Sequence, residues 1–170
     1  MNDFQKDLEY SLDAREDKVF DNFYFRVFNN LSWIETIKDL PRQKEGIDKV
    51  LHFKNGKQVL IDEKKRRKDY GDILLEEWSI VESKKKGWTG DPNKKTDYIV
   101  YAIMPSSKVY LLPYLLLQSA WRKHYKEWKD TYKTIYARNA TYNTSSLCIP
   151  VEILLASIKE EIQKQLIDRT

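Results

Sequence analysis

The dipeptide Asn55-Gly56 is typical of a tight turn between two antiparallel strands, and it fixes which parts of this chain become neighbours. Apolar residues alternate loosely over residues 47–53 before the turn, and Val59-Leu60-Ile61 forms the centre of a second run over 57–64 after it. We therefore predict a β-hairpin that places 47–53 and 57–64 side by side in a sheet.

The rest of the chain divides into helical and strand-like patterns. Phe4, Leu8 and Leu12 recur every four residues and begin a helical pattern over 4–28, and residues 31–39 are expected to form a second short helix. Further strands are predicted at 72–81, 98–103, 108–112 and 145–149, with helices from Pro113 to about 129 and from Pro150 onward. This order predicts an α/β (α+β) fold with a central mixed β-sheet flanked by helices. No linker or repeat interrupts it, so residues 1–170 are expected to form a single domain.

Composition places the chain among globular proteins. The 170 residues are 41% hydrophobic and 33% charged, a balance unlike that of disordered chains. No apolar run approaches the roughly 20 residues that span a bilayer, and the first residues lack the pattern of a signal peptide, so no membrane association is expected. A lone Cys148 cannot form an internal disulfide, and a cytoplasmic location is the expectation.

Positive charge is clustered rather than spread evenly. The net charge is +4, and the basic runs fall at residues 64–68, 84–86 and 94–95. Such clusters can form a phosphate-binding surface. The simpler interpretation of each run taken alone is a solvated loop.

An acidic pair flanks the predicted turn. The hairpin lets Asp48 and Asp62 approach each other, and strand alternation puts Asp62 and Lys64 on one face, with Glu63 on the other. Two carboxylates can hold Mg²⁺, and an adjacent lysine can orient water or stabilise charge on a phosphate. These residues are the minimum apparatus for metal-dependent cleavage of a phosphodiester. The alternative is a surface hairpin with an Asp–Lys pair.

These residues resemble the motif of the PD-(D/E)XK nuclease superfamily, whose fold is restriction-endonuclease-like. Gly46-Ile47-Asp48 and Leu60-Ile61-Asp62-Glu63-Lys64 carry the resemblance, which covers roughly residues 1–112, with Ile47 where the family usually has proline. The resemblance implies a leading helix, three meandering strands, a helix and a further strand. It also implies that Asp48, Asp62 and the main-chain carbonyl of Glu63 bind Mg²⁺ or Mn²⁺, and that Lys64 positions the attacking water.

The sequence gives less information about the roles of the neighbouring charged residues. Many members of the family add an acid from the leading helix, for which Glu9 and Glu16 are candidates. Glu76 and Glu77 could supply a further acid or cap the exposed side of the third strand, and we favour the cap. The run Lys65, Arg66 and Arg67 is interpreted equally well as phosphate contacts or as a solvated loop end.

The function predicted from these residues is a Mg²⁺-dependent deoxyribonuclease that hydrolyses DNA, with endonuclease action favoured and a homodimer compatible with it. One alternative is a non-catalytic nucleic-acid-binding module with a decayed nuclease site. Another is a protein-interaction domain that uses an aromatic-rich surface. Trp121, Tyr125 and Trp128 lie on one predicted helical face, where core packing is favoured over base stacking.

Overall fold

A computed structural model describes residues 14–167, and the start of the predicted leading helix, residues 4–13, lies outside that range. The described elements, in chain order, are α1 Ala14–Val27, β1 Leu31–Thr36, α2 Leu40–Lys44, β2 Lys49–Phe53, β3 Gln58–Arg66, β4 Asp72–Ile80, β5 Lys85–Lys86, β6 Tyr98–Ile103, a 3₁₀ turn Met104–Ser106, β7 Lys108–Pro113, α3 Tyr114–Thr131, β8 Thr134–Arg138, β9 Asn143–Pro150 and α4 Val151–Ile167. They belong to two compact units.

The first unit, here called the five-strand unit, comprises residues 14–69 and 93–114 of the described chain. Its sheet has the strand order β1-β2-β3-β6-β7, in which β3 and β6 run parallel and every other pair is antiparallel. The predicted hairpin is present: the N–H of Gly56 donates to the carbonyl of Phe53 over 2.9 Å and closes the turn between β2 and β3. Gly56 adopts a φ of +81°, which glycine reaches without the strain that a Cβ brings.

The two faces of this sheet are covered by different hydrophobic clusters. Aromatic residues of α1, among them Phe20 and Tyr24, pack with Leu51, Ile61 and Val100 on one face. A smaller cluster lies on the other face and contains Ile37, Ile47, Val50 and Leu60. Because alternation places Leu60 and Asp62 on the same side of β3, the candidate acidic residues lie on the face of the smaller cluster.

The second unit, here called the four-strand unit, comprises residues 70–92 and 115–167 of the described chain. Its sheet is antiparallel with the order β5-β4-β9-β8. Ile73 and Leu75 of β4 face Ile149 and Leu147 of β9, and all four side chains are fully buried. Trp121 and Trp128 of α3 are also buried, whereas Tyr125 on the same helical face is half-buried.

The prediction of a mixed α/β chain whose mixed sheet is flanked by helices is confirmed, but two details of the prediction are wrong. Residues 31–36 form edge strand β1 rather than a helix, and the predicted third strand, β4, pairs with β9 in a separate sheet rather than with β3. Single-domain folding of residues 1–170 stays a prediction. Within the described range, none of the helices combines the length and apolar character needed to cross a bilayer.

Candidate functional site

A short helix and a glycine turn position Asp48. Asp39 caps α2 by accepting a hydrogen bond from the N–H of Arg42 at 3.0 Å, and Pro41 occupies the first turn of the helix, where proline is favoured. Gly46 then reverses the chain with a φ of +80°, and Asp48 follows directly before β2. The N–H of Asp48 donates to the carbonyl of Ile61 over 2.8 Å, so the residue is fixed against β3.

Asp62 lies in the middle of β3 and is almost completely buried, with 1% of its surface exposed. Its Oδ1 forms an ion pair with Lys64 Nζ, and that ammonium also lies 3.4 Å from the main-chain carbonyl of Glu63. The N–H of Glu63 donates to Asp48 Oδ2 over 2.8 Å. The structure therefore brings Asp48, Asp62, Lys64 and the Glu63 backbone together, as the sequence spacing predicts.

Lys94 is a member of this group that sequence reasoning missed. Its Nζ lies 3.5 Å from Asp62 Oδ2, and only 13% of its side chain is exposed. The end of the Lys94 side chain packs beside Gly46, where glycine is favoured because of its φ of +80°. The sequence marked Lys94 only as part of the basic pair 94–95, because no local pattern links it to β3.

The pKa values of the Asp48 and Asp62 carboxyl groups are shifted in opposite directions. Burial, together with repulsion from Asp62, raises the pKa of Asp48 from 3.8 to about 6, although the Lys64 ammonium opposes the rise. For Asp62, burial acts to raise the pKa, but Lys64 and Lys94 outweigh it and hold the pKa below the ordinary value. The group therefore concentrates negative charge on Asp62 and leaves Asp48 easily protonated.

The donor set suits a hard divalent cation. Asp62 Oδ2 is buried and accepts no hydrogen bond, and its cationic neighbour is the Lys94 ammonium at 3.5 Å, a longer and weaker contact than a metal–oxygen bond. Over the described residues, no group of three or more His, Cys, Asp or Glu side chains could hold a metal ion. Mg²⁺ commonly uses one or two carboxylates, keeps several waters and takes further oxygens from a phosphate substrate. Asp48, Asp62 and the Glu63 carbonyl fit that pattern.

The other acidic candidates have different surroundings. The side chain of Glu63 points to the α1 face, where its Oε1 accepts a hydrogen bond from the Tyr24 hydroxyl at 2.8 Å. Glu9 and the side chain of Glu16 lie outside the described part of the chain. Glu76 accepts a hydrogen bond from the N–H of Trp88, and Glu77 binds partners within the four-strand unit.

The basic residues after Lys64 alternate between the faces of β3. The Lys65 ammonium lies 5.8 Å from the centre of the Phe20 ring, whereas Arg66 is buried on the same side of the strand as Asp62. Arg67 follows the end of the strand and is exposed. Phosphate contact by these three residues stays a prediction.

No protein-family model matches this chain, and no curated protein or solved structure matches it either. What the chain offers for functional assignment is therefore its own chemistry: two close carboxylates of unequal pKa, two ammonium groups and a buried oxygen without a hydrogen bond.

Proposed function

We propose that this protein is a Mg²⁺-dependent deoxyribonuclease that hydrolyses phosphodiester bonds of DNA as an endonuclease. The observation that carries the proposal is the buried Asp62 Oδ2, which accepts no hydrogen bond although it lies in a cluster of charged groups. Over the described residues, this oxygen has the Lys94 ammonium at 3.5 Å to balance it, so a divalent cation bound there would gain a strong ligand.

Each residue of the cluster has a distinct proposed role. Asp48 and Asp62, with the Glu63 carbonyl, would hold Mg²⁺ or Mn²⁺, which supplies Lewis-acid stabilisation of the phosphate and lowers the pKa of water. Lys64 is placed by Asp62 and the Glu63 carbonyl so that its ammonium can orient the attacking water. Lys94 adds a second positive charge, which offsets the negative charge that develops on the phosphate oxygens.

Strand order supports the same proposal. Helix α1 precedes the antiparallel strands β1, β2 and β3, and β6 pairs parallel with β3 beside Asp62 and Lys64. The resemblance to PD-(D/E)XK nucleases implies a similar order, but the meander predicted from the sequence comprises 47–53, 57–64 and 72–81, and the third of these is β4 of the four-strand unit. One difference is the segment Tyr70–Pro92, which contributes β4 and β5 to the four-strand unit where the family has a helix.

A second candidate is a nucleic-acid-binding module without catalysis. It is favoured by one observation: Lys64 and Lys94 already pair with Asp62, so positive charge on side chains could take the place of a metal ion. Under this alternative the protein would bind DNA in a salt-dependent way and leave it uncut.

The test of the proposed function is incubation of the purified protein with supercoiled plasmid and with linear DNA in Mg²⁺, Mn²⁺ or EDTA. We expect nicking or linearisation of the plasmid with either metal, none in EDTA, and none by the Asp62→Asn variant. Folded wild-type protein that leaves both substrates intact while still binding them would favour the second candidate.

A further inference from the structure

A cavity of about 610 Å³ lies in the four-strand unit, and the proposed hydrolysis makes no use of it. Its lining includes the aromatic side chains of Trp78, Trp121 and Tyr125. The ring centres of Trp121 and Tyr125 are 4.9 Å apart and their planes are tilted by 51°, so together they form an angled aromatic surface. The size falls within the range of cavities that hold small organic ligands, and the rings suit a flat one.

The segment that forms one side of the cavity is held in place by its backbone. The N–H of Gly87 donates to the carbonyl of Glu77 over 2.8 Å, and the N–H of Trp88 donates to the Glu76 carboxylate over 3.0 Å. A Cβ at Gly87 would overlap the backbone of Glu76, so the two strands can come this close only at glycine. The lining residues that follow Gly87 are therefore fixed before any ligand binds.

Thr89 is the residue that points to a ligand. It lines the cavity and is fully buried, yet its hydroxyl oxygen forms no hydrogen bond. A buried hydroxyl without a partner lowers the stability of the folded protein. Glu77, which also lines the cavity, differs because both of its carboxylate oxygens are bonded, one to Tyr125 and the other to Lys129 and Ser145.

Two cationic side chains complete the lining. Lys86 and Arg122 both line the cavity and are exposed to solvent, so they stand at its mouth. Lys86 lies directly opposite Trp78 in the antiparallel pair of β4 and β5. The cavity thus combines an aromatic surface, a buried hydroxyl without a hydrogen bond and exposed positive charge.

We propose that this cavity binds a nucleotide, with its base against the aromatic surface. The Thr89 hydroxyl hydrogen-bonds the edge of the base, and Lys86 and Arg122 contact the phosphate. The same chemistry can come from a free nucleotide or from an unstacked base of a single strand. The proposal stands on the cavity alone and does not require the nuclease activity.

The test is binding measured in EDTA, where hydrolysis plays no part. The probes are deoxynucleoside monophosphates, followed by quenching of tryptophan fluorescence, and short labelled single-stranded oligodeoxynucleotides, followed by anisotropy. The variants are Thr89→Val and Arg122→Gln. The control is Thr134→Val, which alters a half-buried threonine of β8 that does not line the cavity.

We expect Thr89→Val to weaken binding about tenfold while its melting temperature stays equal or rises, because the lost hydroxyl has no partner in the folded protein. Arg122→Gln should weaken binding and reduce its salt dependence, and Thr134→Val should bind as wild type does. Binding of the monophosphates identifies a free nucleotide as sufficient, whereas binding of oligonucleotides alone identifies a base within a strand. No binding of any probe by the folded wild type, or binding unaffected by both variants, would overturn the proposal.

Discussion

Each of the two units contains a buried carboxylate, and the two carboxylates differ in how completely their oxygens are hydrogen-bonded. Glu77 in the four-strand unit has both oxygens bonded, to Tyr125, Lys129 and Ser145, and these hydrogen bonds lower its pKa despite burial. Asp62 in the five-strand unit keeps an oxygen without a hydrogen bond, and beside it lies Asp48, whose pKa is raised to about 6 by burial and by repulsion from Asp62. The Glu77 cluster is arranged for stability, whereas the Asp62 cluster tolerates electrostatic strain that a bound cation would relieve.

The largest effect should come from Asp62→Asn, which keeps the shape of the side chain and removes its charge. We expect DNA cleavage to fall by a factor on the order of 10³ or more, because a main ligand of the metal is weakened. The fall in cleavage is measured from initial rates of plasmid nicking in Mn²⁺. Glu45→Gln is the matched control, since Glu45 is an acid of the same unit that is ion-paired to Lys95, and it should retain activity. Equal rates for Asp62→Asn and wild type would contradict the assignment.

Substitutions of Lys64 and Lys94 should lower the rate of DNA cleavage to different extents. Lys64→Met should lower the cleavage rate by about 10²-fold, because in the proposed mechanism Lys64 orients the attacking water, whereas Lys94→Met should lower it by about tenfold because Lys94 would supply only charge. Both variants should bind Mn²⁺ at least as tightly as wild type, because each removes an ammonium that competes for Asp62. Loss of Mn²⁺ binding in either variant would mean that these lysines only support the local structure.

Glu77→Gln should lower the free energy of unfolding by about 3 kcal/mol at pH 7, since three partners lose a charged acceptor. The pKa of Glu77 is lowered in the folded protein, so its stabilising effect is complete above its ordinary pKa of 4.5 and is lost as the pH falls through the folded-state value. Urea unfolding of variant and wild type, measured from pH 7 down into the acid range, should therefore give a difference in the free energy of unfolding that becomes smaller as the pH falls. A difference that stays constant would contradict the ionic role.

Asp48→Asn should raise the free energy of unfolding, whereas Glu77→Gln lowers it. An amide retains an acceptor for the N–H of Glu63 and removes the repulsion between the half-buried Asp48 and the buried Asp62, so the metal-free variant should be more stable than wild type by about 1–2 kcal/mol at pH 7. Thermal or urea unfolding in EDTA measures this, and the same variant should lose cleavage. A less stable Asp48→Asn protein would place Asp48 among the stabilising residues, with Glu77.

The sequence predicted the elements that are set by local patterns. The run Tyr98–Ile103 is apolar throughout and forms β6 with the predicted bounds, and the Asn55-Gly56 turn pairs β2 with β3. Asp48, Asp62 and Lys64 come together for the same reason, because a hairpin and strand alternation suffice to place them.

What the sequence did not predict depends on distant partners. Residues 31–36 become β1 because they pair with β2 at the sheet edge, and their irregular burial gives no alternation that a sequence pattern would reveal. The pairing of β4 with β9 joins segments about 70 residues apart. Lys94 reaches Asp62 from the loop before β6, and the end of its side chain packs beside Gly46.

The most direct test of the account is a titration of the metal-free protein with Mn²⁺, followed by the electron paramagnetic resonance signal of free Mn²⁺. The wild type should bind one ion in the five-strand unit, Asp62→Asn should lose that ion, and Glu77→Gln should retain it under conditions where the variant is folded. Folded wild-type protein that binds no Mn²⁺, or an Asp62→Asn variant that binds it as well as wild type does, would contradict the claim that the Asp62 cluster is arranged for a cation.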